Sequence, residues 1–161
     1  MGGTKDNKVV TTLARTFHAL GYVALRPNFR GVGGTGGVHD EGRGETDDLI
    51  AVAACAQEKF GPLPLVCAGF SFGSFVQTRV AKQLSPAQLV LVAPAVNRFP
   101  TEQVAPGTLI IHGEVDDVVP LTAVFDWARP QNLAVVVIPG GEHFFHGRLH
   151  QLQDIVTRHF K

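Results

Sequence analysis

The sequence predicts an α/β fold, a parallel sheet with helices on both faces. Three observations predict it. Short apolar runs alternate along the chain with segments of helical periodicity, the pattern of repeated strand-helix units. One run, Leu63–Ala68, passes straight into a helix through Gly69-Phe70-Ser71-Phe72-Gly73. Candidate reactive residues recur just past the carboxyl ends of the runs, where an open parallel sheet carries its sites.

The elements follow in order. Lys5–Leu20 places Val9, Val10, Leu13, Ala14, Phe17 and Leu20 on one face, with Asp6 or Asn7 able to cap it and Gly21 able to end it, so a helix is expected. Tyr22–Asn28 reads as a strand, and Pro27, which cannot donate to a ladder, marks its end or an edge. Phe29–Gly44 is a loop holding seven glycines. Part of it, Gly31-Val32-Gly33-Gly34-Thr35-Gly36, spells G-x-G-x-x-G. The next helical residues come about ten positions later, and no acidic partner ends a following strand, which argues against a nucleotide site. An active-site rim that brings Asn28, Arg30 or His39 near substrate is the better reading.

Thr46–Phe60 is the next helix. Asp47 and Asp48 favour its first turn and Gly61-Pro62 stops it. After Leu63–Ala68, the helix that starts at Ser71 runs to Leu84 and breaks at Ser85-Pro86. Gln88–Ala93, Thr108–His112 and Leu133–Ile138 are further strands, which makes about five in all. Pro120–Ala128 and Leu149–Phe160 are helices, and Pro94–Gly107 is an irregular connection too short for a large inserted lid. There is no internal repeat and no low-complexity tract.

Composition narrows the function. The 161 residues suit a single domain, 1–161, with one core. The 14 basic and 14 acidic residues balance, so nothing points to nucleic acid or an anionic membrane. Cys55 and Cys67 fall in a helix and a buried strand and read as inert thiols. No charged-then-apolar leader opens the chain and no apolar run is long enough to cross a bilayer, so a soluble cytoplasmic protein is expected.

The chemistry gathers at three strand ends. Gly69-Phe70-Ser71-Phe72-Gly73 is a G-x-S-x-G between strand and helix. Its glycines let the two backbones approach, and Ser71 is held at the apex of the turn. Asp116 and Asp117 follow Thr108–His112, and His143 and His146 follow Leu133–Ile138. A serine hydroxyl is a poor nucleophile until an imidazole takes its proton, and a carboxylate fixes the imidazole's tautomer. Each residue taken alone has an ordinary explanation: a Gly-Ser turn, turn acids, a structural histidine. Serine, acid and histidine in that chain order, each after a strand, make coincidence a poor account of all three.

These segments carry a family resemblance that covers nearly the whole chain. The Ser71 turn resembles the nucleophile elbow of the α/β-hydrolases. His112-Gly113-Glu114-Val115-Asp116-Asp117-Val118-Val119-Pro120 resembles their H-G-x-x-D-x-x-V-P stretch, which implies Asp116 as the acid. Gly141-Glu142-His143-Phe144-Phe145 resembles the segment with the catalytic histidine. Asn7-Lys8-Val9-Val10, Arg26-Pro27-Asn28-Phe29-Arg30-Gly31-Val32-Gly33 and the Phe-rich elbow are similar to a lidless bacterial group of small esterases.

The resemblance implies a truncated α/β-hydrolase fold, because such enzymes open with about three further strands and a loop that supplies an oxyanion-hole N–H. Here Met1-Gly2-Gly3-Thr4 looks like the tail of that loop. Both a natural minimal form and a truncated gene product fit. A gap is expected between Tyr22–Asn28 and Leu63–Ala68. Either those strands pair directly, or an unpaired edge stays open and drives homo-oligomer formation.

The implied activity is a serine carboxylesterase acting on a small, short-chain ester, with no cofactor and no metal. Ser71, His143 and Asp116 would be catalytic. Phe72, with Gly2 or Gly3, would supply the oxyanion hole. Asn28, Phe70 and Phe144 are pocket candidates, as are Phe72, Phe99 and Phe145. A weak or inactive remnant that serves as an interaction module, or a lactone-cleaving or acyl-transfer enzyme, would carry the same residues.

Overall fold

The computed structural model describes residues 3–161. Its elements are α1 (Lys8–Ala19), α2 (Arg43–Phe60), β1 (Val66–Phe70), α3 (Phe72–Leu84), β2 (Gln88–Val92), β3 (Leu109–Gly113), α4 (Leu121–Ala128), β4 (Val135–Ile138) and α5 (Leu149–Phe160), with one 3₁₀ turn, Arg129–Gln131, after α4. The strands form one four-stranded sheet in the order β1-β2-β3-β4. All three pairings are parallel, with Cys67 opposite Leu89, Leu91 opposite Ile110 and Ile111 opposite Val136.

Side chains alternate between the two faces of a strand, and here that alternation divides the core. Val90, Val92, Leu109 and Ile111 meet Val9, Leu13 and Phe17 of α1 and Leu152 and Val156 of α5. Their neighbours Leu89 and Leu91, with Cys67, pack under Phe75, Val76 and Val80 of α3. Ile110 packs with Val124 of α4. Helices therefore cover both faces, as the α/β class requires. Full burial of each such side chain stabilises the fold by about 1.5–3 kcal/mol.

Local chemistry sets the helix starts. Asn7 caps α1, its Oδ1 accepting from the N–H groups of Val9 at 2.9 Å and Val10 at 3.4 Å. Helix α2 begins three residues before the expected Thr46, at Arg43. The fully buried Glu45 explains the difference. Its carboxylate accepts from the N–H of Gly42 at 2.9 Å and of Asp40 at 2.8 Å, which satisfies donors that would otherwise be stranded there.

One expected strand is absent. Tyr22–Asn28 has no ladder partner, so the sheet has four strands rather than about five. Other contacts hold the segment. The Tyr22 ring packs edge-on to Phe17 at 5.4 Å, and Arg26 Nη1 donates to Lys5 O at 2.6 Å and Thr11 Oγ1 at 2.9 Å. A cavity of about 450 Å³ separates this segment from β1, walled by Val23, Leu25, Val66, Ala68 and the flank of α2. A strand conformation needs a second backbone at hydrogen-bonding distance, and across the cavity there is none. Of the two arrangements expected, the open edge is the one found. Val23, Leu25, Phe60 and Leu63 are exposed around it, and α2 buries residues only in its first turn.

Candidate active site

Strand β1 ends at Phe70 and helix α3 begins at Phe72, so Ser71 alone makes the turn. Its backbone sits at φ 53° and ψ −117°, an arrangement that costs a non-glycine residue about 1–3 kcal/mol. Contacts around it hold the strain in place. Ser71 N–H donates to Val92 O at 2.9 Å, and Ser74 Oγ donates to Gly69 O at 2.8 Å. A Cβ at Gly69 would collide with the Gly73 carbonyl, so the close approach of strand and helix requires glycine there. Among the described residues none accepts a hydrogen bond from the Phe72 N–H, the first of α3. A helix start of this kind favours negative charge.

Strand β3 delivers Asp116 and strand β4 delivers His143. Their two loops are brought together at glycines, since a Cβ on Gly113 would collide with the Gly141 carbonyl. Val115 N–H also donates to Gly141 O at 2.9 Å. Asp116 is buried in the turn after β3. Its Oδ1 accepts from Val119 N–H at 2.7 Å and Val118 N–H at 2.9 Å. Its Oδ2 lies 2.7 Å from His143 Nδ1. Burial alone would raise the pKa of this carboxyl, but the His143 bond, the His143 ring's charge and the two N–H groups outweigh it, and the pKa falls below its ordinary value. Asp116 is thus an anion at neutral pH, so His143 Nδ1 carries a hydrogen and donates it. That leaves His143 Nε2 as an acceptor, 3.1 Å from Ser71 Oγ.

Three residues that the sequence places more than 20 positions apart therefore form one line of hydrogen bonds, from Ser71 to His143 to Asp116. Asp117, the other acid considered, is exposed. His146 is exposed as well and pairs with Glu142. The imidazole of His143 is packed between Phe70 and Phe144, each 5.0 Å from it between ring centres. Phe144 is 44% exposed, so an aromatic wall borders the serine on this side. Phe145 is fully buried and belongs to the core. On the other side Phe72 packs against Phe29, Phe99 and His39. The cavity beside β1 and a second one under the glycine-rich loop are not lined by Ser71 or His143.

Other expected site residues have different surroundings. Asn28 Oδ1 accepts from Lys5 N–H at 2.7 Å and its amide packs on Gly33, so it ties the loop to the start of α1. No hydrogen bond among the described residues joins it to Ser71. Gly3 accepts from Phe29 N–H at 3.2 Å, and Phe29 packs on Phe72, which places Gly3 one side chain away from the elbow. Gly2 lies outside the described residues.

The glycine-rich loop is held by pairs that the sequence reading missed. Arg30 grips Asp48 through two bonds of 2.8 Å, and His39 Nδ1 lies 2.9 Å from Glu45. Asp48 is thus engaged by Arg30 rather than serving only the helix start. A glutamate three residues past Gly42 was the available signal. Among the described residues, no group of three or more His, Cys, Asp and Glu is placed to hold a metal ion, and no helix is long and apolar enough to cross a membrane.

The fold matches those of known proteins. The crystal structure of XC6422 from Xanthomonas campestris, an α/β serine hydrolase without a lid, superposes with a TM-score of 0.93 and 39% identity, over 98% of this chain and 74% of that one. An α/β serine hydrolase homologue from Coxiella burnetii superposes with a TM-score of 0.90 and 42% identity, over 98% of this chain and 78% of that one. The chain belongs to the α/β serine hydrolases. An uncharacterized protein of Rickettsia prowazekii is 28% identical over 96% of this chain and 71% of its own length. No protein-family model matches this α/β serine hydrolase.

Proposed function

We propose that this hydrolase is a serine carboxylesterase for small, short-chain acyl esters. The observation that carries the proposal is the unbroken line from Ser71 Oγ to His143 to Asp116, with spacings of 3.1 Å and 2.7 Å. Ser71 Oγ attacks the ester carbonyl carbon while His143 Nε2 takes the hydroxyl proton. Asp116 keeps the imidazole in the correct tautomer and stabilises the imidazolium that forms. The carbonyl oxygen becomes an oxyanion facing the Phe72 N–H. His143 then gives its proton to the departing alkoxide, leaving an acyl ester on Ser71. Water, deprotonated by His143, releases the carboxylic acid.

The second oxyanion donor is assigned to the start of the chain, at Gly2 or Gly3. Gly3 is favoured by its contact with Phe29, which lies against the elbow. Loss of one such donor costs about a hundred- to a thousandfold in rate, so turnover depends on how well that short segment is held.

The proposed substrate class is supported by the exposed aromatic wall beside the serine. A long acyl chain gains affinity by burying its methylenes, at roughly 0.8 kcal/mol each. Neither of the two cavities described above reaches Ser71 or His143, so the acyl group is placed on the Phe70 and Phe144 wall, where added methylenes stay in water. In a p-nitrophenyl ester series, kcat/KM is expected to be highest for acetate and butyrate and to fall by about tenfold or more by decanoate. A rise in kcat/KM up to decanoate would overturn the short-chain assignment.

A further inference from the structure

His112 is the fourth residue of β3, fully buried, and absent from the proton path described above. Its Nε2 lies 2.8 Å from Val119 O. A carbonyl oxygen only accepts, so Nε2 carries the hydrogen. Nδ1 is then a bare acceptor, and it is buried with no partner among the described residues. Burial pushes the ring's pKa down, which keeps it neutral. An apolar side chain of similar shape would remove the bare Nδ1 but leave Val119 O without this donor, so packing alone is a poor reason for a histidine.

The bond partner supplies a better one. Val119 N–H donates to Asp116 Oδ1 at 2.7 Å, and Val118 N–H donates to the same oxygen at 2.9 Å. His112 therefore grips, from the sheet side, the same turn that grips the acid. Its Nε2 is also 3.6 Å from Asp116 Oδ2, the oxygen that faces His143. That distance is too long for a hydrogen bond, but it sets an N–H dipole beside the anion.

We propose that His112 is a positioning residue, whose Nε2–H donation to Val119 O fixes the Asp116–Val119 turn and so holds the carboxylate against His143. This rests on the reading of Ser71, His143 and Asp116 as the reacting groups. A small displacement of a catalytic group costs about a hundredfold in rate, and a slack turn would allow one.

The test compares three substitutions. In His112→Gln the side-chain amide nitrogen falls near the position of Nε2 and keeps the donor. In His112→Asn the amide nitrogen falls near Nδ1 and does not reach Val119 O. His112→Leu removes both. With p-nitrophenyl acetate, the Asn and Leu variants are expected to lose about a hundredfold in kcat with KM within about twofold. The acidic limb of their kcat/KM profile moves to lower pH, because the imidazolium loses a well-placed anion. The Gln variant stays within about fivefold of the parent on both counts.

A folded Leu variant with parental kcat and an unmoved limb would overturn the proposal, as would a Gln variant as slow as the Leu variant. If the Leu and Asn variants fail to fold, the Gln variant decides alone: near-parental kcat and pH profile support the proposal, and a hundredfold fall defeats it. Ser71→Ala measured alongside separates the two readings. An active Ser71→Ala defeats the esterase reading itself. An inactive Ser71→Ala beside a fully active His112→Leu defeats only the role of His112.

Discussion

Ser71→Ala is expected to lower kcat for p-nitrophenyl acetate by about ten-thousandfold or more and to abolish labelling by a fluorophosphonate. The hydroxyl's one hydrogen bond to a described residue joins it to His143, and its Cβ sits in a turn whose backbone is fixed by Val92 and Gly69. Alanine fits that space and bears the same backbone strain. The thermal midpoint is therefore expected to stay within a few degrees of the parent, a change of less than about 1 kcal/mol. The conjunction of lost chemistry and kept fold is what matters. Parental turnover in the alanine variant would mean that another group attacks the ester.

Asp116→Asn is expected to cost about ten-thousandfold in kcat, and Asp117→Asn less than about threefold. The argument runs through the donors around the acid. Val118 and Val119 present N–H groups to one side-chain oxygen of Asp116. In the asparagine variant that position must be taken by the amide oxygen, since an NH₂ there would face two donors. The NH₂ group then faces His143 Nδ1, where the carboxylate stood. His143 Nδ1 must accept instead of donate, the hydrogen moves to Nε2, and Ser71 loses its base. Asp117 is exposed, and no comparable constraint acts on it. A coordinate-preserving Asp117→Asn that was the slower of the two would reverse the assignment of the acid.

The parts of this protein that were legible in its sequence are those set by neighbouring residues. Gly69 and Gly73 around Ser71 mark a close strand-helix turn, and apolar runs mark strands whose ends carry Asp116 and His143. Chain order and position at strand ends sufficed to bring those three residues together, although Asp116 was preferred to Asp117 only through the family resemblance.

What stayed hidden depends on distant partners. Tyr22–Asn28 has the composition of a strand, but the ladder needs a second backbone, and no local pattern reports that the neighbouring space is empty. The grip of Arg30 on Asp48 spans the whole glycine-rich loop, so it could not be read from either residue alone. The contact between Gly113 and Gly141, which seats the acid loop on the histidine loop, likewise joins segments from two strands. His112 looked like part of a motif, and its role becomes visible only when Val119 O is seen above it.

The open cavity beside β1 has a practical consequence for how the folding of this protein is followed. Dyes of the anilinonaphthalene type fluoresce on exposed apolar surface, which is why they are used to detect loosely packed states. Here Val23, Leu25, Phe60 and Leu63 offer such surface around a cavity of about 450 Å³ in the native chain. The native protein will bind the dye, and a dye-based melting curve will start high before anything unfolds. Trp127, on α4, is the chain's single tryptophan and packs partly buried against the core without lining that cavity. Its intrinsic emission reports on the loss of tertiary packing itself, and the two signals are expected to disagree.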